Sequence, residues 1–148
     1  MPATREQIMQ ALLVLCQALP GINAASRRNP GPERLTQVQT PAVFLLESGE
    51  RYERRDVSLP PTRILRVTAI FYVDVGTAEA LAPTTPLNNI LDAFDAALVS
   101  DFGATGRFTL GGLVNSCVVT GEVEKAPGDI TGKSLAAVPL EITMGSPR

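Results

Sequence analysis

The sequence predicts an α+β fold: one domain, 1–148, in which a mixed or antiparallel sheet of about four strands packs against two main helices and ends in a β-hairpin. Three observations lead there. Two segments carry apolar residues at helical spacing, four read as strands, and their order is helix, two strands, helix, two strands. At 148 residues the chain is long enough to bury a core of its own.

The first helix is announced by Thr4-Arg5-Glu6-Gln7, a capping-box pattern with Thr4 as N-cap and Gln7 reaching back to it. Ile8, Leu12, Leu15 and Leu19 follow at helical spacing, widened by Met9, Leu13 and Cys16, until Pro20-Gly21 ends the run. Residues 23–40 show no period and carry turn formers, with Arg27, Arg28 and Arg34 making them basic. Such a connection reads either as a solvated loop or as a partner-binding arm.

Ala42 to Glu47 is nearly all apolar, as in a strand covered on both faces. An arginine-rich polar loop is expected next, Gly49 to Pro61. A longer strand then places Leu65, Val67, Ala69, Phe71, Val73 and Val75 on one face, and Arg63, Arg66, Thr68, Tyr72 and Asp74 mainly on the other, with Ile64 and Ile70 softening the alternation. On this pattern Arg66 and Tyr72 are exposed in a monomer or line a subunit contact. Residues 76–83 read as a turn. Thr85 before Pro86 opens the second helix, because proline suits the first helical position. Leu87, Ile90, Leu91, Phe94, Ala97 and Leu98 form its apolar face, Asn88, Asn89, Asp92 and Asp95 its polar one, and Asp101-Phe102-Gly103 closes it. Leu113–Val123 and Ala136–Met144 alternate around the turn-rich segment 125–133, a closing hairpin. Pro139 calls for an edge or a bulge there.

The net charge is −2, without the basic excess of a nucleic-acid binder. Its distribution is uneven: residues 1–70 hold nine Arg and six acids, and residues 71–148 hold four bases and nine acids. Either this is chance partition over a surface, or a head-to-tail oligomer sets a basic face against its neighbour's acidic face. No segment has the length and apolarity of a membrane span or the pattern of a signal peptide, so a cytoplasmic protein is expected. Cys16 and Cys117 then read as buried thiols rather than a disulfide.

The chain contains no histidine, which removes His-based acid–base chemistry, Ser-His and Cys-His nucleophile pairs, and His-containing metal sites. Two cysteines are too few for zinc. Gly128-Asp-Ile-Thr-Gly-Lys-Ser134 has three residues between its glycines where a phosphate loop needs four, and a strand follows where a helix should. Gly111-Gly112 precedes a strand, so it serves a sharp bend or a close approach. Asp92 and Asp95 share a polar helix face and read as solvated. No catalytic residue, cofactor or metal is expected. Arg51, Tyr52, Arg54 and Arg55 are different: Arg and Tyr are favoured at interface hot spots, and the interleaved Glu50 and Glu53 suit a protein surface better than a nucleic-acid groove. A solvated connecting loop is the plainer reading of the same residues.

Taken together, the helix ending at Pro20-Gly21, Pro41-Ala-Val followed by Gly49-Glu50-Arg51-Tyr52, the Arg63–Val75 strand, the Leu87–Leu98 helix and the closing Val138–Met144 strand resemble the phage tail terminator family, the minor tail protein U-like proteins of long-tailed bacteriophages. The Leu110-Gly111-Gly112-Leu113-Val114 step is also similar to related neck and tail proteins. Residues 23–40 are longer than that family's connection and are not mapped. The resemblance implies a structural virion component of the tail or neck, assembled in the host bacterial cytoplasm. It implies a homo-oligomeric ring, typically a hexamer, that caps the tail tube, ends its polymerisation and offers the head-joining surface. The implied partners are the tail-tube protein and a head–tail connector, with no nucleic-acid sequence recognition and no membrane. Expected contact residues are Arg51, Tyr52, Arg54 and Arg55 in one loop, Asp129 and Lys133 in the hairpin loop, and Arg27 and Arg28 as a third group. The alternatives are another neck or tail component, such as a head–tail joining protein or a tube subunit, and a small-molecule module built on Asp92 and Asp95 or Lys133.

Overall fold

The computed structural model describes residues 3–29, 31, 40–74, 85–99, 109–126 and 133–144. Helix α1 (Arg5–Gln17) starts as its sequence requires: Thr4 Oγ1 accepts from Gln7 N at 3.2 Å, and Thr4 N donates to Gln7 Oε1 at 2.8 Å. The longer strands are β2 (Ala42–Glu53), β3 (Thr62–Asp74), β4 (Ser116–Val119) and β6 (Lys133–Met144). Two three-residue strands complete the set among the described residues, β1 (Ala24–Ser26) and β5 (Glu124–Ala126). Helix α2 (Thr85–Val99) lies between β3 and β4 in the chain.

The six strands form one mixed sheet in the order β1-β2-β3-β6-β4, with β5 also on β6. β1 runs parallel to β2 and every other pairing is antiparallel. The α+β architecture expected from the sequence is therefore present. Both helices pack on one face, where Leu65, Val67, Ala69, Phe71 and Val73 of β3 and alternate residues of β6 meet Ile8, Leu12 and Cys16 of α1 and Leu87, Ile90 and Phe94 of α2. The alternation in β6 is complete, inward positions buried and outward ones half-buried. Burying each large apolar side chain here contributes about 1.5–3 kcal/mol.

Four expectations need correction. Residues 24–26 are not loop: they extend the sheet as β1. Tyr72, placed by alternation on an open face, is only 4% exposed; Ala42 and Phe44 pack on it from β2, with Ala24 of β1 beside them. Asn29, just past β1, also donates to the Tyr72 hydroxyl at 3.2 Å, and such contacts between distant segments leave no mark on the local pattern. The segment 113–123 is not one strand. Its ladder to β6 breaks between β4 and β5, where Thr120 N donates to Pro139 O at 3.0 Å. In a strand the N–H and C=O of one residue point the same way, so Pro139's missing donor faces this break, and β6 tolerates proline while lying inside the sheet. Finally, β2 continues to Glu53, so Arg51 and Tyr52 are strand residues, in register with Ile64 and Arg63. The expected turn at 76–83, the helix stop at Asp101–Gly103, and Arg34 lie outside the described residues.

Gly111-Gly112 is resolved in favour of the bend. Leu110, Gly111 and Gly112 all have positive φ (52°, 74° and 93°), and a Cβ on either glycine would meet nothing within 4 Å. Thr109 ties the turn by accepting from Gly112 N through both its carbonyl (3.1 Å) and its hydroxyl (3.0 Å).

Candidate partner-binding surfaces

The β2–β3 hairpin changes character half-way along. Ala42 to Leu45 are buried, the pairing slips between Glu47 and Gly49, and every residue of β2 beyond that slip is exposed. A bulge increases local twist and turns a strand away from its layer. The outer hairpin is held instead by ion pairs. Arg5 grips Glu50 with two donors, the Nη2–Oε2 contact being 2.8 Å, and its Nη2 also donates to the Tyr52 hydroxyl at 2.9 Å. Arg27 donates to both Glu6 carboxylate oxygens at 2.8 and 2.9 Å and lies 3.7 Å from Glu47. Arg51 bridges Glu53 on its own strand and Glu141 on β6, at 3.0 Å each.

These contacts divide the residues that the sequence groups together. Arg51, Tyr52 and Arg27 brace the hairpin against α1 and β6. Arg54 and Arg55 lie past the last ladder pair, Glu53–Thr62, are exposed, and make no ion pair with any described residue. The tip beyond them is folded: Asp56 Oδ1 accepts from both Ser58 N and Ser58 Oγ at 2.9 Å, and Leu59 N donates to Asp56 O at 3.2 Å. Those donors hold the Asp56 carboxyl below the usual carboxylate range, the Ser58 amide first. The ordered tip turns Val57 and Leu59 to solvent, 85% and 56% exposed. Sequence reading passed over this apolar pair, although both residues are visible between the charged ones.

The other expected contacts are scattered. Arg28 is exposed at the end of β1, its amide donating to Ser26 Oγ at 3.1 Å. Lys133 opens β6 in register with Asp74 and is half-buried. Asp129, with the rest of its loop, lies outside the described residues.

A second surface opens on the helix side of the sheet. Between α2 and the β4–β5–β6 edge lies a groove of about 540 Å³, within the range of roughly 300–1,000 Å³ that ligand sites occupy. Phe94 and Val138, both buried, form its floor with Leu91 and Val119. Lys125 Nζ donates to Asn88 Oδ1 at one end, 2.9 Å. Asp92 and Asp95, one and two turns further along α2, line the same groove, are exposed, and form no ion pair with any described residue. Among the described residues no group of three or more Cys, Asp or Glu side chains is placed to hold a metal ion, and no helix is long and apolar enough to cross a membrane.

No protein-family model matches the chain, and no curated protein matches it in sequence. Its fold is similar to that of a solved chain from the "Virion of native gene transfer agent (GTA) particle". The two are 12% identical, the likeness spans 96% of this chain and 94% of that one, and the TM-score is 0.40. The two surfaces differ in their chemistry. One is a projecting tip with two exposed cations and two exposed aliphatic side chains; the other is an apolar-floored groove with two exposed carboxylates.

Proposed function

We propose that this chain is a structural virion protein of the tail or neck, which forms a ring on a tail tube, ends its polymerisation and offers the surface to which the head joins. The observation that supports it best is the β2–β3 tip, where Arg54, Arg55, Val57 and Leu59 stand exposed on a turn that Asp56 organises. An ordered, exposed loop loses little conformational entropy on docking, and Arg beside aliphatic side chains suits a protein partner. Repetition around a ring multiplies a modest contact into firm capping. In this reading Arg54 and Arg55 make the first contacts and Arg51, Tyr52 and Arg27 keep the hairpin in shape. Arg28, Lys133 and Asp129 belong to further contacts with tube, connector or neighbour.

Native mass measured against protein concentration tests this. A closed ring of about six subunits that stops growing is the expected result. Open-ended growth would replace the capping role with that of a tube subunit. In the Arg54→Glu/Arg55→Glu variant the monomer keeps its melting temperature and ring or tube binding falls; unchanged binding would remove the tip from the contact.

A further inference from the structure

The tip and the groove are complementary in both charge and apolar character, and one molecule cannot bring its own pair together. Val57 is four residues beyond Glu53, a reach of at most about 14 Å even when extended. Val138 in the groove floor is in register with Ala69, seven residues along β3 from Thr62, or about 23 Å at ~3.3 Å per residue. The tip extends away from that point, not towards it. We infer that the β2–β3 tip of one copy docks in the α2 groove of the next, with Arg54 and Arg55 against Asp92 and Asp95 and with Val57 and Leu59 over Leu91 and Phe94.

The contact joins two different surfaces, so each copy keeps a groove and a tip available, and the assembly either closes as a ring or grows as a helix. It also assigns the uneven charge of the chain to a place. The exposed arginines of the basic half and the exposed aspartates of the acidic half meet across subunits. Lys125 lines the same groove, but Asn88 holds its ammonium about 6 Å along α2 from Asp92 and about 10 Å from Asp95 at 1.5 Å per residue, so Asp95 is the carboxylate further from its charge.

This inference adds the subunit contact to the ring reading and rests on it only for closure. Cross-linking separates the two. Val57→Cys and Asp95→Cys are prepared as single variants of the full chain, both at exposed positions, while Cys16 and Cys117 are buried and silent. Mild oxidation should give a disulfide-linked dimer when the two variants are mixed and none from either alone. In the Arg54→Glu/Arg55→Glu background of the Val57→Cys chain the mixed product should fall about tenfold, and Asp92→Lys added to the Asp95→Cys partner should recover much of it. Dimer from Val57→Cys alone would show a symmetric tip-to-tip contact and overturn the inference. So would absence of dimer from the mixture, which leaves the groove to a small cationic ligand. A wild-type closed ring without the mixed cross-link discards this contact and keeps the ring; the cross-link with open-ended growth keeps the contact and discards capping.

Discussion

The ring of Phe71 on β3 meets the ring of Phe94 on α2 edge-on, with centroids 5.2 Å apart and planes at 66°. Both side chains are fully buried, and Phe94 is at once the main anchor of α2 on the sheet and part of the groove floor. Truncating it removes a large packed volume and an oriented aromatic contact. Phe94→Ala should cost about 3–5 kcal/mol in denaturant unfolding, and Phe94→Leu clearly less. A cost below about 1 kcal/mol would mean that α2 is seated by something else.

Arg5 and Glu50 tie α1 to the outer hairpin across 45 residues of chain. The Arg5 guanidinium holds the Glu50 carboxyl below its ordinary value, chiefly by hydrogen bonding, and Arg27 does the same for Glu6. A carboxylate whose pKa is lower folded than unfolded stabilises the fold above the unfolded value. That contribution is lost as pH falls from the ordinary glutamate range through the depressed one, where the unfolded chain binds more protons. The groups are exposed, so the loss is modest. Melting temperature measured against pH should decline on the acid side, and Glu6→Gln/Glu50→Gln should flatten that slope while lowering stability at neutral pH. An identical acid slope in the double variant would rule these two pairs out as its source.

Gly112 occupies a φ of 93° with open space around it. Strain, not crowding, then sets the cost of a side chain. Gly112→Ala should destabilise by about 1–2 kcal/mol, and Gly112→Asn by less, because asparagine tolerates left-handed backbone better. Equal costs for Ala and Asn in thermal unfolding would point to a clash instead.

Burial pushes the Cys16 thiol up to about 12, and neighbouring Cys117 adds to it. Little thiolate is present near neutral pH, and thiolate is the reactive form. A thiol reagent at pH 8 should leave the native chain unlabelled over minutes and take up two equivalents once it is unfolded. Rapid labelling of the folded protein would show that α1 opens locally.

Local pattern was enough for much of this molecule. The capping box at Thr4 and Gln7, the apolar stripes of both helices and the alternation in β3 and β6 are short-range properties, and each forms as its residues dictate. The α+β class follows from their order. What sequence could not supply is pairing between distant segments. Ladder partners decided that 24–26 is a strand, that Tyr72 is buried, that the 113–123 segment breaks opposite Pro139, and that Arg51 and Tyr52 belong to β2. The candidate surfaces divide in the same way. Arg51, Tyr52, Arg54 and Arg55 are one cluster in sequence, but Arg5, Glu53 and Glu141 engage the first two and leave the last two to solvent beside Val57 and Leu59. Asp92 and Asp95 read as solvated helix residues until β4, β5 and β6 placed an apolar floor next to them. Hydrophobic periodicity acts over a few residues and is written in the chain; charge pairing and groove formation depend on which distant strands become neighbours, and only the folded sheet decides that.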